Sequence, residues 1–198
     1  EAATDDGVAA VLLTGAGRAF CVGADLGEMA QRNADPASVP IGRHGFMGVC
    51  RAMADLPKPL IVAVNGMALG AGVSFLGYAD LVFMSTAARI KCPFTDLAVA
   101  PELGSSLLVP SMIGRQNAAW LLLSSEWVSA EEAKEMGLAW RLTTPDELVP
   151  TARRYAEVLA SKPISSLAAI KDTLWAPLRA QLQEAQDREI EHFKRLLG

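Results

Sequence analysis

Glu102 follows Pro101 and precedes Leu103-Gly104-Ser105-Ser106, which open an apolar helical run from Leu107 to Ile113. A carboxylate so placed has two uses. It can sit in the first turn of the helix and complement its dipole. It can instead point into an apolar pocket, where lost hydration raises its pKa toward the working range of a general base. Asp96 is the second candidate, with neighbours that suit a loop or a helix start. Two small-residue junctions bear on the same chemistry. Gly70-Ala71-Gly72 opens a helical spacing at Val73, Leu76 and Gly77, and Val22-Gly23-Ala24-Asp25-Leu26 opens another at Leu26, Met29 and Ala30. The first N–H groups of a helix have no intrahelical partner and can hold an anionic oxygen. Such junctions also occur for turn geometry alone, with Asp25 then serving as a cap. The Val22–Leu26 junction is not a P-loop, because no Gly-Lys-Ser/Thr closes it, and it does not fit GxGxxG. His44 is read as a surface or capping residue. Gly104-Ser105-Ser106 is not the GxSxG of a serine hydrolase.

Strands and helices must carry these groups. Val8–Thr14, Leu60–Val64 and Leu81–Met84 are apolar runs short enough for buried strands. Asn65-Gly66 after the second run is a turn. Arg89–Cys92 and Leu138–Leu142 read as short strands. A helix carries Phe46, Val49, Cys50 and Met53 on one face, after a polar loop from Gln31 to Pro40. Arg115–Leu123 continues the helical run after Ile113. Ser129-Ala130-Glu131-Glu132 is a capping box, with Gly137 as the stop. Beyond residue 142 the composition shifts. Helices are expected over residues 145–160, 163–175 and 177–197, separated by prolines, and the last carries an imperfect apolar stripe that needs a surface to pack on. The chain therefore divides into a core, residues 1–142, and a helical region, residues 143–198.

The 198 residues suit one domain with an appendage, and 51% hydrophobic content supplies a sizeable core. No apolar run approaches the ~18 residues of a membrane span. The formal charge of −4 argues against a general nucleic-acid binder. Cys21, Cys50 and Cys92 have no metal-ligand spacing and read as reduced thiols, which fits a cytoplasmic setting. No metal site is expected.

Taken in order, Leu13-Thr14-Gly15 through Phe20-Cys21-Val22-Gly23-Ala24-Asp25-Leu26, Pro57-Lys58-Pro59 through Asn65-Gly66-Met67-Ala68-Leu69-Gly70-Ala71-Gly72, Ala79-Asp80, Ser129–Ala133 and Gly137-Leu138 resemble the crotonase, or enoyl-CoA hydratase/isomerase, superfamily. The resemblance implies an α/β fold, a spiral of ββα turns with a C-terminal helical trimerisation region. It implies a coenzyme A thioester as substrate, with no further cofactor. It places the oxyanion hole at the backbone N–H groups of Ala24 and Ala71, and the coenzyme A contact along Val22, Gly23, Ala24, Asp25 and Leu26. Arg18 and Lys58 are near enough in sequence to meet phosphates, although solvated surface is the plainer reading of both. It also implies strands ahead of Val8 and a helix after Gly198.

The acid/base residue decides the reaction. Hydratases of the superfamily use two glutamates, and those motif positions here hold Ser74 and Phe94. Glu102 falls where the peroxisomal-type Δ3,Δ2-enoyl-CoA isomerases carry one catalytic acid, and Pro93-Phe94-Thr95-Asp96-Leu97 through Ser106 resembles their motif. The expectation is an isomerase shifting a double bond through Glu102, with Phe94 and Leu97 as an apolar wall that excludes water. Hydration or another thioester reaction through Glu102 or Asp96 is the alternative, and a non-catalytic acyl-CoA binder is the rival from another class. A homotrimer or dimer of trimers is the expected assembly.

Overall fold

The computed structural model describes residues 1–23, Gly27 and residues 45–197. Strands β1 (Val11–Thr14), β3 (Leu60–Val64), β5 (Leu81–Ser85) and β8 (Arg141–Thr143) form one parallel sheet in the order β1-β3-β5-β8. Strands β2 (Ala19–Cys21), β4 (Met67–Leu69) and β6 (Arg89–Lys91) pair in parallel in a second sheet, with β7 (Val128–Ser129) antiparallel at its edge. From β1 to β6 successive strands alternate between the sheets, and β7 then joins β6 before β8 returns to the first. Each coil of the chain thus adds one strand to each sheet before a helix returns it, which is the expected ββα spiral.

The first sheet is covered on both faces, so its central strand is apolar throughout rather than alternating. All five residues of β3 are buried. Leu60, Val62 and Val64 face the main core, while Ile61 and Ala63 join Phe83 against Leu148 and Ala152 of helix α5 (Leu148–Ala160). Stacking of the coils needs close backbone approach at their turns. A Cβ on Gly66 would stand 2.2 Å from the Arg18 carbonyl oxygen. Asn65 ties the same turns, accepting from Gly15 N at 3.0 Å and donating to the carbonyls of Gly17 and Ala19.

Helix α1 (Gly45–Ala54) and the short α2 (Ala71–Ser74), which runs on into a 3-10 turn (Phe75–Tyr78), lie on the core side. Helix α3 (Ser105–Leu123) breaks at Gly114 (φ 73°, ψ 162°), matching the division at Arg115 read from sequence. Helix α4 (Ala130–Met136) has the expected capping box: Glu132 N donates to Ser129 Oγ, Ser129 N donates to Glu132 Oε2, and Gly137 closes it in the left-handed region. Ser129→Ala is expected to cost about 1 kcal/mol, read from urea unfolding.

Some elements differ from expectation. β1 begins at Val11 rather than Val8, β8 is shifted to Arg141–Thr143, and β2, β4 and β7 are too short for a pattern to reveal. The last two expected helices are one, α6 (Ile164–Leu197), running through Pro177. Packing on both sides of the proline holds it together: Trp175 and Leu182 both enter the main core. The C-terminal helical region therefore packs on its own chain. Lys58 is neither solvated nor set for a phosphate. It is 5% exposed, and its ammonium donates to the carbonyls of Ala2 and Asp5, pinning the N-terminal segment to the core. Cys21, Cys50 and Cys92 are all free thiols. No described helix is long and apolar enough to cross a membrane.

Candidate active site

Glu102 projects from a turn that the surrounding elements hold in an uncommon conformation. Leu103 (φ 61°) and Gly104 (φ 78°) are both left-handed. For leucine this costs about 1–3 kcal/mol and persists only where neighbours enforce it. The neighbours are visible. Tyr78, ending the 3-10 turn, donates its hydroxyl to the Leu103 carbonyl at 2.7 Å, and Gln186 of α6 donates to that hydroxyl at 3.2 Å. Glu189, one turn further along α6, accepts from Gly104 N at 2.7 Å and Ser106 N at 2.8 Å. It thereby caps the first turn of α3, leaving Glu102 free of that task.

Glu102 is partly buried, and among the described residues its carboxylate accepts no hydrogen bond. Burial first, and the nearby Glu189 carboxylate second, push its pKa above the ordinary value. Cys50 of α1 and Tyr78 also stand beside this turn. Burial pushes the Cys50 thiol up to about 11 and the Tyr78 phenol further up, and the two are hydrogen-bonded to each other. Both are therefore neutral near pH 7. Glu102 is a carboxylate with a raised proton affinity and no hydrogen-bond partner among the described residues, which suits a general base.

Asp96 is different. It is an exposed residue paired with Lys91 at 2.8 Å, a bland surface contact. Phe94 is buried and lines an apolar cleft of about 310 Å³ together with Val99, Pro101 and Leu122. Leu97 does not join that wall. It is 59% exposed, because two tight turns, Leu97 N to the Pro93 carbonyl and Ala98 N to the Thr95 carbonyl, carry it outward with Ala98 at φ 53°.

The glycine junction has the expected form. Gly70 adopts φ 50°, ψ −111°, its carbonyl accepts from Val73 N and Ser74 N, and Ala71 begins α2. Among the described residues, Ala71 N–H donates to no acceptor. The other junction passes beside it: a Cβ on Gly23 would stand 4.0 Å from Ala71 N. Val22 is exposed there. Ala24, Asp25 and Leu26 lie outside the described residues, as does His44. Gly72 seats this corner, since a Cβ there would fall 2.2 Å from the Cys21 carbonyl oxygen. Gly72→Ala is expected to lose about 1–3 kcal/mol of stability through overpacking, read as a lowered Tm.

A profile described as enoyl-CoA hydratase/isomerase matches residues 1–197. The chain belongs to the enoyl-CoA hydratase/isomerase family. Enzymes of this family act on acyl-CoA thioesters. The chain is 36% identical to 1,2-epoxyphenylacetyl-CoA isomerase of Escherichia coli (strain K12), over 98% of its own length and 74% of that protein's. It is 31% identical to the short-chain-enoyl-CoA hydratase of Clostridium acetobutylicum, over 98% and 74%. Among solved structures, enoyl-CoA hydratase EchA8_6 from Mycobacterium marinum superposes with a TM-score of 0.84 at 59% identity, over 89% of this chain and 82% of that one. These names mix hydratases and isomerases, so membership of the family leaves the reaction to the residues.

Of the two residues that the sequence motifs match to the hydratase glutamates, Ser74 is fully buried and within 3.3 Å of the Gly70 carbonyl, and Phe94 is in the core. Neither residue type can take a proton from water as a carboxylate does. The network behind Glu102 escaped sequence reading. Glu189 and Gln186 look like the polar face of an amphipathic helix, and only the fold brings them to the turn.

Proposed function

We propose that this family member moves the double bond of a 3-enoyl-CoA to the 2-position, with Glu102 as its single base. The observation that carries this reading is the state of Glu102: partly buried, raised in pKa and without a hydrogen-bond partner among the described residues, while Ser74 and Phe94 stand where the sequence motifs match the hydratase glutamates. Glu102 takes a proton from C2 of the acyl chain. The electrons delocalise onto the thioester oxygen, forming a dienolate. Backbone N–H groups of Ala71 and Ala24 hold that oxygen; one such donor is worth about 10²–10³ in rate. Glu102 then returns the proton at C4, leaving the double bond between C2 and C3. Phe94 limits the water that would otherwise exchange with the protonated carboxyl. Coenzyme A itself lies along Val22, Gly23, Ala24, Asp25 and Leu26, and no further cofactor takes part.

The similarity to an Escherichia coli protein named as an isomerase supports this reaction type. The similarity to hydratases favours a second reading, in which Glu102 activates water. We read the assembly as a homotrimer or a dimer of trimers, and Trp120, Leu123 and Trp127, exposed in the single chain, fit a covered face. The compartment we assign is the cytoplasm.

The test supplies a 3-enoyl-CoA and, separately, a 2-enoyl-CoA in deuterated water and follows products and deuterium at C2 and C4. Conversion of the 3-enoyl to the 2-enoyl ester supports the isomerase. A 3-hydroxyacyl-CoA product, formed as well by Glu102→Gln as by the wild type, would sink it. Binding with neither exchange nor turnover would assign the chain to non-catalytic acyl-CoA binding.

A further inference from the structure

Glu189 is 5% exposed, yet it lies on the C-terminal helix α6, far in sequence from the turn it touches. Burying a carboxylate is costly unless its oxygens are bonded. Both are: one takes Gly104 N, the other Ser106 N. Those N–H groups flank the start of α3, and the left-handed Leu103 and Gly104 connect them to Glu102. A glutamine here could match only one donor, because its second polar atom carries hydrogens. We propose that Glu189 is a positioning residue for Glu102, fixing the turn from which the base projects and placing a second negative charge behind it. This rests on Glu102 being the base.

Two consequences separate this role from plain structural support. The first is geometric. With the turn released, Glu102 misses the C2 and C4 protons, and a misplacement of about 1 Å costs up to ~10²-fold in rate. The second is electrostatic. Glu189 disfavours the ionised form of Glu102, so its removal lets Glu102 ionise at lower pH. Among the described residues, the titratable groups around the Glu102 turn are Cys50 on α1, Tyr78 on the 3-10 turn, whose hydroxyl donates to Leu103, and Glu189 on α6. The first two are neutral at working pH, so Glu189 is the charge the experiment removes.

The experiment compares wild type, Glu189→Gln, Glu189→Asp and Glu102→Gln, using 3-hexenoyl-CoA. It measures kcat, KM and their pH profiles. In parallel, the Glu102 carboxyl is titrated by ¹³C NMR of glutamate-labelled protein, assigned by its loss in Glu102→Gln. For Glu189→Gln the expected result is a kcat lowered about 10–10²-fold, a nearly unchanged KM, and an acid limb and Glu102 titration both moved to lower pH. Glu189→Asp keeps the charge, so its limb stays in place while kcat falls. A Glu189→Gln variant with wild-type kcat, or with lowered kcat but an unmoved Glu102 titration, overturns the proposal. Should Glu189→Gln fail to fold, Glu189→Asp decides: wild-type kcat counts against positioning, and lowered kcat at unchanged KM supports it. If Glu102→Gln is fully active, the base assignment itself fails. If wild type does not turn over the ester, the isomerase reading fails, and the NMR titrations of the variants still report whether Glu189 acts on Glu102.

Discussion

Glu102→Gln is expected to lower kcat for a 3-enoyl-CoA by about 10²–10⁴-fold, the usual worth of a positioned general base. KM should change little, because the amide fills the same space. Deuterium exchange at C2 and C4 should disappear together with turnover, since one group serves both carbons. The same variant should be more stable than wild type near neutral pH. The sign follows from the raised pKa of Glu102. Between the ordinary carboxylate pKa and the higher folded value, the folded protein binds more protons than the unfolded chain, so its stability falls as pH rises through this window. Glutamine does not titrate and escapes that loss. The gain in Tm should be largest above the folded pKa and shrink toward zero as pH falls below the ordinary carboxylate range. Activity of the wild type is expected to run the other way, rising with pH as Glu102 ionises. A Glu102→Gln variant that is no more stable at pH 7 than at pH 4, relative to wild type, would mean that Glu102 is not desolvated.

Asp80→Ala carries the largest expected stability loss, about 3–5 kcal/mol in urea unfolding. Asp80 gathers three donors from two parts of the fold. Its Oδ2 takes Leu60 N at 2.7 Å and the Lys171 ammonium at 2.7 Å, and its Oδ1 takes Trp175 Nε1 at 3.1 Å. Lys171 is 4% exposed and otherwise donates only to the Lys58 carbonyl among the described residues. Truncating Asp80 leaves that cation buried beside a neutral acceptor and strands the Leu60 N–H. Burial already holds the Lys171 pKa below its ordinary value, with Asp80 opposing the shift. Without Asp80 the depression deepens. A lysine with a lowered folded pKa binds fewer protons when folded, so stability rises with pH between the folded and the unfolded values. The deficit of Asp80→Ala should therefore narrow in alkaline solution. A deficit below 1 kcal/mol would show that water reaches Lys171 and takes over its hydration.

Much of the path from sequence to site was legible because it is local. Leu60–Val64 reads as a doubly buried strand from its unbroken apolar run, and β3 is one. The Ser129 capping box depends on a four-residue window and is present bond for bond. Gly70-Ala71-Gly72 is a helix-opening junction in both views. What escaped is what only long-range packing determines. Pro177 argues for a break, yet Trp175 and Leu182 on either side are both locked in the core. Lys58 looks like a surface cation until the N-terminal segment folds over it. Leu97 reads as part of a wall, and the left-handed Ala98 beside it carries it out. Glu102 was found by its neighbours in the chain, whereas Glu189, Gln186 and Tyr78, which seat it, are distant in sequence.

That distance has a consequence for biosynthesis. The hydrogen bond from Gly104 to Glu189 closes a gap of 85 positions, and that from Lys171 to Lys58 closes one of 113. At ~5–20 residues per second of translation, the segment holding Glu102 leaves the ribosome roughly 4–17 s before Glu189 does. During that interval the spiral can begin to wind, but the Glu102 turn has no brace, and the apolar faces later covered by Trp175 and Leu182 stand open to other nascent chains. Seating of the Glu102 turn is thus a late event, set by the arrival of one helix, and early release of the polypeptide would yield coils with that turn unbraced.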